Sequence, residues 1–487
     1  MTVLLLGGVA GLGQVPFALP WATLAALALI MWHYGDVARG WPAFAVGWLF
    51  GTGYFALTLH WIVEPFQVDV ARHGWMAPFA LIFMAAGLAL FWGAAFALAR
   101  RIAPGLWPLV VVWTGAEVTR AVVLTGFPWA LIGHVWSETP LVQIIAVTGQ
   151  HGLTLLTLGF VALCVTALRA ARPRRPVQLF MPALLMVAGG VGWVMLDPGP
   201  APQAAADAPV IRLVQPNIAQ SEKWDAELVP VHMRRLLDMS GGGAVPALVV
   251  WPETAVPYLL EYSADVLEAA IDATRGAQLI TGIQRREGER YYNALALVDR
   301  TGQVAEVYDK VHLVPFGEYI PFGEVLGRFG IGGLAASAGG GFSAGSGGQL
   351  IQIPGVGMAW PLICYEGIFA PQVAAAPTRP RLLLLITNDA WFGAFAGPFQ
   401  HFALGRLRAI EQGLPMVRAA NTGVSAVIDA KGRIMGQLAL DTAGALDIPL
   451  PPALPPTVYA QTGDWPFIVL LCGLLSGVLI RGRSVSD

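Results

Sequence analysis

Three cysteines occur in the chain, and two of them, Cys164 and Cys472, lie inside long apolar stretches. The third, Cys364, closes the run Leu362-Ile363-Cys364-Tyr365-Glu366-Gly367, where an apolar segment of strand character gives way to an acid and a glycine. A thiol at a strand end, with no second cysteine in the polar half of the chain, suits a nucleophile; it also suits a small buried hydrophobe, a common fate of free cysteine. Lysine is scarce, occurring only as Lys223, Lys310 and Lys431. Lys310 stands among apolar and aromatic neighbours in Tyr308-Asp309-Lys310-Val311-His312-Leu313-Val314-Pro315-Phe316-Gly317-Glu318, so it is either an ammonium drawn into a site or an ordinary surface lysine. Glu253 follows Val249-Val250-Trp251-Pro252, where a strand stops at a proline that cannot continue the ladder. A charge at a helix start is the plainer account of it. All three follow or adjoin an apolar segment, and strand ends are where α/β folds gather reactive groups; a thiol at its free pKa needs a base or a cation beside it to act as a nucleophile.

The elements that must position these groups fall into two classes. Charged residues are only 12% of the chain against roughly 25% in soluble domains, and 56% of residues are hydrophobic, which indicates a membrane protein. Apolar stretches of near-spanning length recur at about 3–19, 21–32, 43–62, 77–99, 106–123, 142–168, 177–196 and 465–480, which predicts eight spans. The first lacks a basic start and is followed by more spans, so it is expected to be a retained helix rather than a secretory signal. Arg39, then Arg100 and Arg101, then Arg169, Arg172, Arg174 and Arg175, and finally Arg481 and Arg483 fall at alternate ends of successive spans. By the positive-inside rule the N-terminus is cytoplasmic and the segment from about 197 to 464 lies across the membrane, in a bacterium the oxidising periplasm. Trp21, Trp32, Trp41, Trp61, Trp75 and Trp465 sit at segment edges as interface anchors. His60, His134 and His151 have no accompanying carboxylate cluster or metal-ligand spacing, so helix packing suffices for them. A net charge of -2 argues against a nucleic-acid partner.

After a Pro- and Ala-rich linker at 197–209, strand-length apolar runs at about 210–215, 246–251, 278–283, 293–299, 349–353, 357–363, 381–387, 415–420 and 424–429 alternate with helical patterns near 225–239, 263–275 and 399–413. This is an α/β domain over 210–455, with hairpin turns at Asp299-Arg300-Thr301-Gly302 and Asp429-Ala430-Lys431-Gly432. A transmembrane domain of seven helices precedes it at 1–196, and a final helix with a short tail follows at 456–487. The Gly-, Ala- and Ser-rich stretch 329–348 is too long and loose for an ordinary connection and is expected to be a mobile lid. It lacks the Gly-Lys-Ser/Thr ending of a phosphate-binding loop.

Glu253, Lys310 and Cys364, in that chain order, resemble the Glu-Lys-Cys triad of the nitrilase superfamily. With the flanking spans, Gln215-Pro216-Asn217-Ile218, Lys223-Trp224, Cys364-Tyr365-Glu366 and Asn388-Asp389-Ala390-Trp391-Phe392-Gly393, the whole chain is similar to the apolipoprotein N-acyltransferase family. That resemblance implies a nitrilase-like αββα sandwich joined to an eight-helix transmembrane bundle, and a ping-pong reaction without cofactor or metal. Glu253 would be the base, Cys364 the nucleophile, and Lys310 with the Tyr365 backbone N–H the oxyanion donors. Glu318 and Glu366 would support the pocket or serve as plain salt-bridge partners. Trp224 and Tyr365 would line an acyl channel or pack a core, while Leu334, Phe342 and Trp391 would meet substrate. The implied donor is the sn-1 chain of a phospholipid and the acceptor the α-amine of a diacylglyceryl-cysteine lipoprotein, handled by a monomer in the inner membrane with its catalytic domain facing the periplasm. A membrane-bound nitrilase-type amidase or hydrolase, or a transporter or scaffold with an inert domain, are the alternatives.

Overall fold

The structure is a computed structural model that describes residues 1–170, 187, 189–201, 205–321 and 341–486. The chain divides into two units, one made of Met1–Gly199, Phe395–Ala403 and Pro456–Asp487, the other of Pro200–Ala394 and Leu404–Pro455.

In the second unit the strands are β1 (Val210–Gln215), β2 (Leu248–Val250), β3 (Gln278–Glu287), β4 (Arg290–Val298), β5 (Val304–Asp309), β6 (Ile351–Ile353), β7 (Gly357–Ile363), β8 (Leu382–Thr387), β9 (Met416–Ala420), β10 (Ser425–Ile428), β11 (Ile434–Leu438) and β12 (Gly444–Pro449). They form two six-stranded sheets, in the orders β12-β1-β2-β3-β4-β5 and β6-β7-β8-β9-β10-β11. Both sheets carry the same pairing sequence: one antiparallel edge, two parallel pairs, then two antiparallel pairs. The strand β12 returns to complete the first sheet, so the second half of the domain repeats the layout of the first.

Side chains alternate along each strand, and the alternation sorts the core into layers. Leu213, Val250, Ile280 and Leu297 of one sheet meet Ile363, Leu384, Ile386 and Val417 of the other in a single buried cluster. The opposite faces of the first sheet, through Val214, Val249, Leu279 and Val298, pack against Met233, Leu236, Leu267 and Ile271 of two helices, Val229–Ser240 and Ala264–Ala273. On the second sheet the helix Gly397–Gln412 lies so close that a Cβ at Gly405 would stand 3.2 Å from the Met416 sulfur. The result is the expected αββα layering. Both predicted hairpin turns form, with Asp299 accepting from the backbone of Thr301 and Gln303 and Asp429 from that of Lys431 and Arg433, ahead of Gly302 and Gly432 in left-handed conformation.

The first unit departs from the predicted eight spans. Among the described residues, three stretches, Val70–Ile102, Pro140–Ala170 and Trp465–Arg483, are long and apolar enough to cross a membrane, or four if Trp41–Thr58 and His60–Gln67, bent by 48°, act as one. The apolar run at 3–19 yields a helix only over Thr2–Gly11, and the next begins at Pro20 and ends at Tyr34. At 1.5 Å per residue these 10- and 15-residue helices fall short of a hydrocarbon core about 30 Å thick. Small residues replace length as their packing device: a Cβ on Gly7 would stand 1.9 Å from the Phe50 carbonyl oxygen, and one on Gly53 1.8 Å from that of Leu4. Such close helix contact is the membrane alternative to a hydrophobic driving force. The predicted span at 177–196 lies largely outside the described residues.

Within this unit Glu117 and Arg120, both in the helix Trp107–Val122, form a buried ion pair at 3.1 Å. Trp92 donates to Glu117 at 2.8 Å, and Arg120 donates to the carbonyls of Phe127 and Trp129 at 2.7 and 2.9 Å. Gln400 similarly accepts from the indoles of Trp61 and Trp129 and donates to the carbonyls of Val15 and Thr58. A broken buried pair leaves an uncompensated charge, so Arg120→Met is expected to destabilise by roughly 3–5 kcal/mol, read as a lowered thermal midpoint in detergent. The double change Arg120→Met with Glu117→Leu should recover part of that loss; no recovery would show that the pair is not the unit that matters.

Candidate active site

Each predicted catalytic residue leaves the C-terminal end of a strand through a turn that bends the backbone sharply. After β2 the chain makes Pro252, Glu253 and then Thr254, whose φ of 46° is left-handed. This turn rests directly on Gly282 of β3, where a Cβ would lie 2.4 Å from the Thr254 nitrogen and 2.5 Å from the Glu253 Cα, so glycine is required for the approach. Lys310 follows β5, and its amide donates to the Asn293 carbonyl of β4 at 2.9 Å. Cys364 follows β7 with φ 51° and opens the 3-10 turn Cys364–Ile368. Non-glycine residues seldom take this conformation, and the cost is characteristic of reactive sites held in place by their surroundings.

The carboxylate of Glu253 accepts from Asn293 Nδ2 at 2.7 Å and Lys310 Nζ at 3.4 Å on Oε1, and from the Asn388 backbone N–H at 2.8 Å on Oε2. Lys310, 1% exposed, donates to Glu318 Oε1 at 2.8 Å. Glu318 is itself fixed by Asn293 Nδ2 at 3.0 Å and by the Val314 N–H at 2.8 Å. Glu366 binds no member of this cluster directly. Its Oε1 accepts from Val311 N, His312 N, Tyr308 Oη and Gln372 Nε2, and its Oε2 from Ile363 N at 2.7 Å. One buried carboxylate therefore ties the segment after Lys310 to the turn that carries Cys364.

Electrostatics assign protonation states. Burial pushes the Cys364 thiol up, Glu253 and Asp389 push it further, and Lys310 and a hydrogen bond with Thr387 pull it back, with the net shift upward. Burial alone would lower Lys310, but Glu318, Glu253 and Cys364 outweigh it and hold the ammonium charged. At neutral pH the pair is a thiol and an ammonium, so attack by sulfur requires a base, and Glu253 stands beside the same ammonium.

Tyr365 is buried, with its ring edge-on to Phe369 at 4.9 Å and to His312 at 5.6 Å. Trp224 is 48% exposed, Trp391 lies half-buried in the turn Asp389–Phe392, and the side chains of both stand apart from the hydrogen-bonded cluster. Phe342 is half-buried, and its backbone N–H donates to the Glu318 carbonyl at 2.8 Å. Ser343 and Gly345 likewise donate to the carbonyls of Tyr291 and Lys310, which fastens the end of the predicted lid beside the cluster. Leu334 and residues 329–340 of that lid lie outside the described residues.

Three members of the cluster receive no role from sequence reasoning. Asn293 bridges Glu253 and Glu318 from within β4. The backbone of Asn388 holds Glu253, and its side chain is locked by Gln220 and Asn421. Lys223 is buried, donating to the Glu253 carbonyl at 3.1 Å and to Thr254 Oγ1 at 2.6 Å. The signals available were a polar residue interrupting the apolar strand after Tyr291-Tyr292, and the scarcity of lysine itself.

Two sheets in this arrangement, with a glutamate, a lysine and a cysteine in the turns after three strands, define a domain of the carbon-nitrogen hydrolase type, in a chain that also carries apolar helices. Residues 211–454 match the carbon-nitrogen hydrolase family, and residues 6–164 match the apolipoprotein N-acyltransferase N-terminal domain. An apolipoprotein N-acyltransferase of Rhodopseudomonas palustris is 38% identical over 99% of this chain and 94% of its own length, and one of Brucella suis is 36% identical over 99% and 96%. The chain belongs to the apolipoprotein N-acyltransferase family. Among solved structures, an amidase of Nesterenkonia from the nitrilase superfamily matches 56% of this chain and 99% of its own at 21% identity and a TM-score of 0.39.

The raised thiol is directly measurable. With Cys164 and Cys472 replaced by serine, alkylation of Cys364 by iodoacetamide is expected to keep accelerating well above roughly pH 8.5, where an ordinary thiol levels off. Lys310→Met, which removes the charge that favours the thiolate, should slow it at every pH. A plateau below about pH 9 would contradict the assignment.

Proposed function

We propose that the chain carries an acyl group from a phospholipid to the N-terminal amine of a lipoprotein through a thioester on Cys364. The observation that supports this most is the buried Glu253–Lys310–Glu318 cluster at 3.4 and 2.8 Å within electrostatic reach of one thiol. Glu253 takes the Cys364 proton as sulfur attacks the sn-1 ester carbonyl. Lys310 and a backbone N–H, that of Tyr365, meet the oxyanion. The C–O bond then breaks, Glu253 returns its proton to the departing lysophospholipid, and the acyl chain remains on sulfur. In the second half the α-amine of a diacylglyceryl-cysteine attacks the thioester, gives its proton to Glu253, and leaves as an amide while the thiol is restored.

Glu318 and Glu366 act as supports in this scheme, the first on Lys310 and the second on the turn of Cys364. Trp224, Tyr365, Leu334, Phe342 and Trp391 are proposed to meet the lipid tails. The domain limits proposed are 1–196, 210–455 and 456–487, joined by a linker at 197–209, with the eight apolar stretches of the first and last seated in a bacterial inner membrane and the protein a monomer. The alternating positions of Arg39, Arg100, Arg101 and Arg169 support a periplasmic catalytic domain. Tethering it at both ends keeps its site near lipid substrates and raises their effective concentration.

Purified protein given labelled phospholipid and a diacylated lipopeptide is expected to yield an amide-linked third chain; free fatty acid as the sole product would favour a hydrolase instead. Loss of one oxyanion donor in Lys310→Met should cost roughly 10²–10³ in rate. Full activity in Cys364→Ala would leave the domain an inert scaffold.

A further inference from the structure

The cluster contains a second ammonium that the triad does not use. Lys223 lies in the loop after β1 and is 5% exposed, and its Nζ ties two atoms of one turn, the carbonyl of Glu253 and the hydroxyl of Thr254. That turn is the strained one, with Thr254 left-handed and its backbone pressed against Gly282. The titratable groups that act on Lys223 come from two elements, Glu253 after β2 and Cys364 after β7, and both favour its charged form. By reciprocity a charged Lys223 favours negative charge on the Cys364 sulfur. Lys223 thus sets a second ammonium at Glu253, in addition to that of Lys310 at the carboxyl groups of Glu253 and Glu318. The proton that passes from sulfur to Glu253 moves within this cluster.

Building on the thioester reaction proposed above, we infer that Lys223 is a positioning residue for the base: it holds the turn that aims Glu253, and its positive charge must be present for Cys364 to be acylated. Burial lowers its pKa to about 8, against the pull of Glu253 and Cys364, so the charge is held below that pH and lost above it. Lys310, held protonated by Glu318 and Glu253, does not share this sensitivity. Loss of the Lys223 proton would remove a positive charge that acts on Cys364, and negative charge developing on sulfur would then be less favoured.

The test is the rate of thioester formation on Cys364 in the full-length protein in mixed micelles, with phospholipid as the only substrate, followed from about pH 6.5 to 10. The native chain is expected to show an alkaline fall with a midpoint near pH 8. Lys223→Met should be roughly tenfold or more slower at neutral pH, the loss of a charge-assisted hydrogen bond, and should show no fall in that range. Lys223→Arg, which stays charged, should recover part of the rate with the fall displaced upward. Thr254→Val keeps the lysine and removes one acceptor of its ammonium, so the fall should move to lower pH. A native profile flat through that range, or a fall that stays in place in Lys223→Met and Thr254→Val alike, overturns the inference while leaving the thioester reaction intact. Absence of any thioester in the native chain overturns that reaction, and this inference with it.

Discussion

The structure depends on holding ionised groups where water does not reach. Lys310 is 1% exposed and Glu253 6%, and an isolated charge so placed would neutralise itself instead. It stays charged because Glu318 at 2.8 Å and Glu253 at 3.4 Å face it, and each carboxylate also receives donors from Asn293 and from a backbone N–H. Every feature of the αββα domain that bears on chemistry serves this cluster. Parallel strands bring their C-terminal ends to one place, and the turns that follow them carry the acids, the ammonium and the sulfur. Such an enclosure suits a reaction whose transition state is an oxyanion, since fixed dipoles and charges in a dry site need no reorganisation as that charge appears.

The backbone contributes through three non-glycine residues in left-handed conformation: Thr254 beside Glu253, Phe316 beside Glu318, and Cys364 itself. The Cys364 bend comes one residue after β7, while those at Thr254 and Phe316 lie further along the segments that follow β2 and β5. The carboxylate of Glu366 then joins the Cys364 turn to the segment after Lys310, taking five hydrogen bonds from both sides of the seam between Val311 and Ile363. Glu366 is as buried as Glu253 and Lys310, yet its oxygens are taken up by hydrogen bonds that hold the turn in place.

Much of this was legible in the sequence, for identifiable reasons. Glu253 and Cys364 close apolar runs and Lys310 adjoins one, so all three stand out where a buried strand meets polar residues. The central strands were visible as uninterrupted apolar segments, whereas β5, β11 and β12 were not, because each is only partly buried and its polar residues break the run. Lys223 stands out by type but received no role, since Ser221, Glu222, Trp224 and Asp225 around it look like a solvated loop, and only the tertiary fold brings its ammonium to the Glu253 carbonyl. In the helical unit, hydropathy marks apolar length but not where a helix stops. The stretch at 3–19 contains Gly11, Gly13 and Pro16, and helix ends at Gly11 and resumes at Pro20. The ion pair of Glu117 with Arg120 shows the same limit: two charges inside an apolar run read as flaws until the tryptophan and carbonyls that surround them are known.

What most directly tests the central claim, that one enclosed thiol carries the acyl chain, is peptide mass mapping of the protein after exposure to phospholipid without any acceptor. The account predicts a single acyl adduct, on the peptide containing Cys364, removed by neutral hydroxylamine and absent from Glu253→Gln. An adduct on another residue, or transfer to a lipopeptide that proceeds while Cys364 never carries the chain, would contradict it.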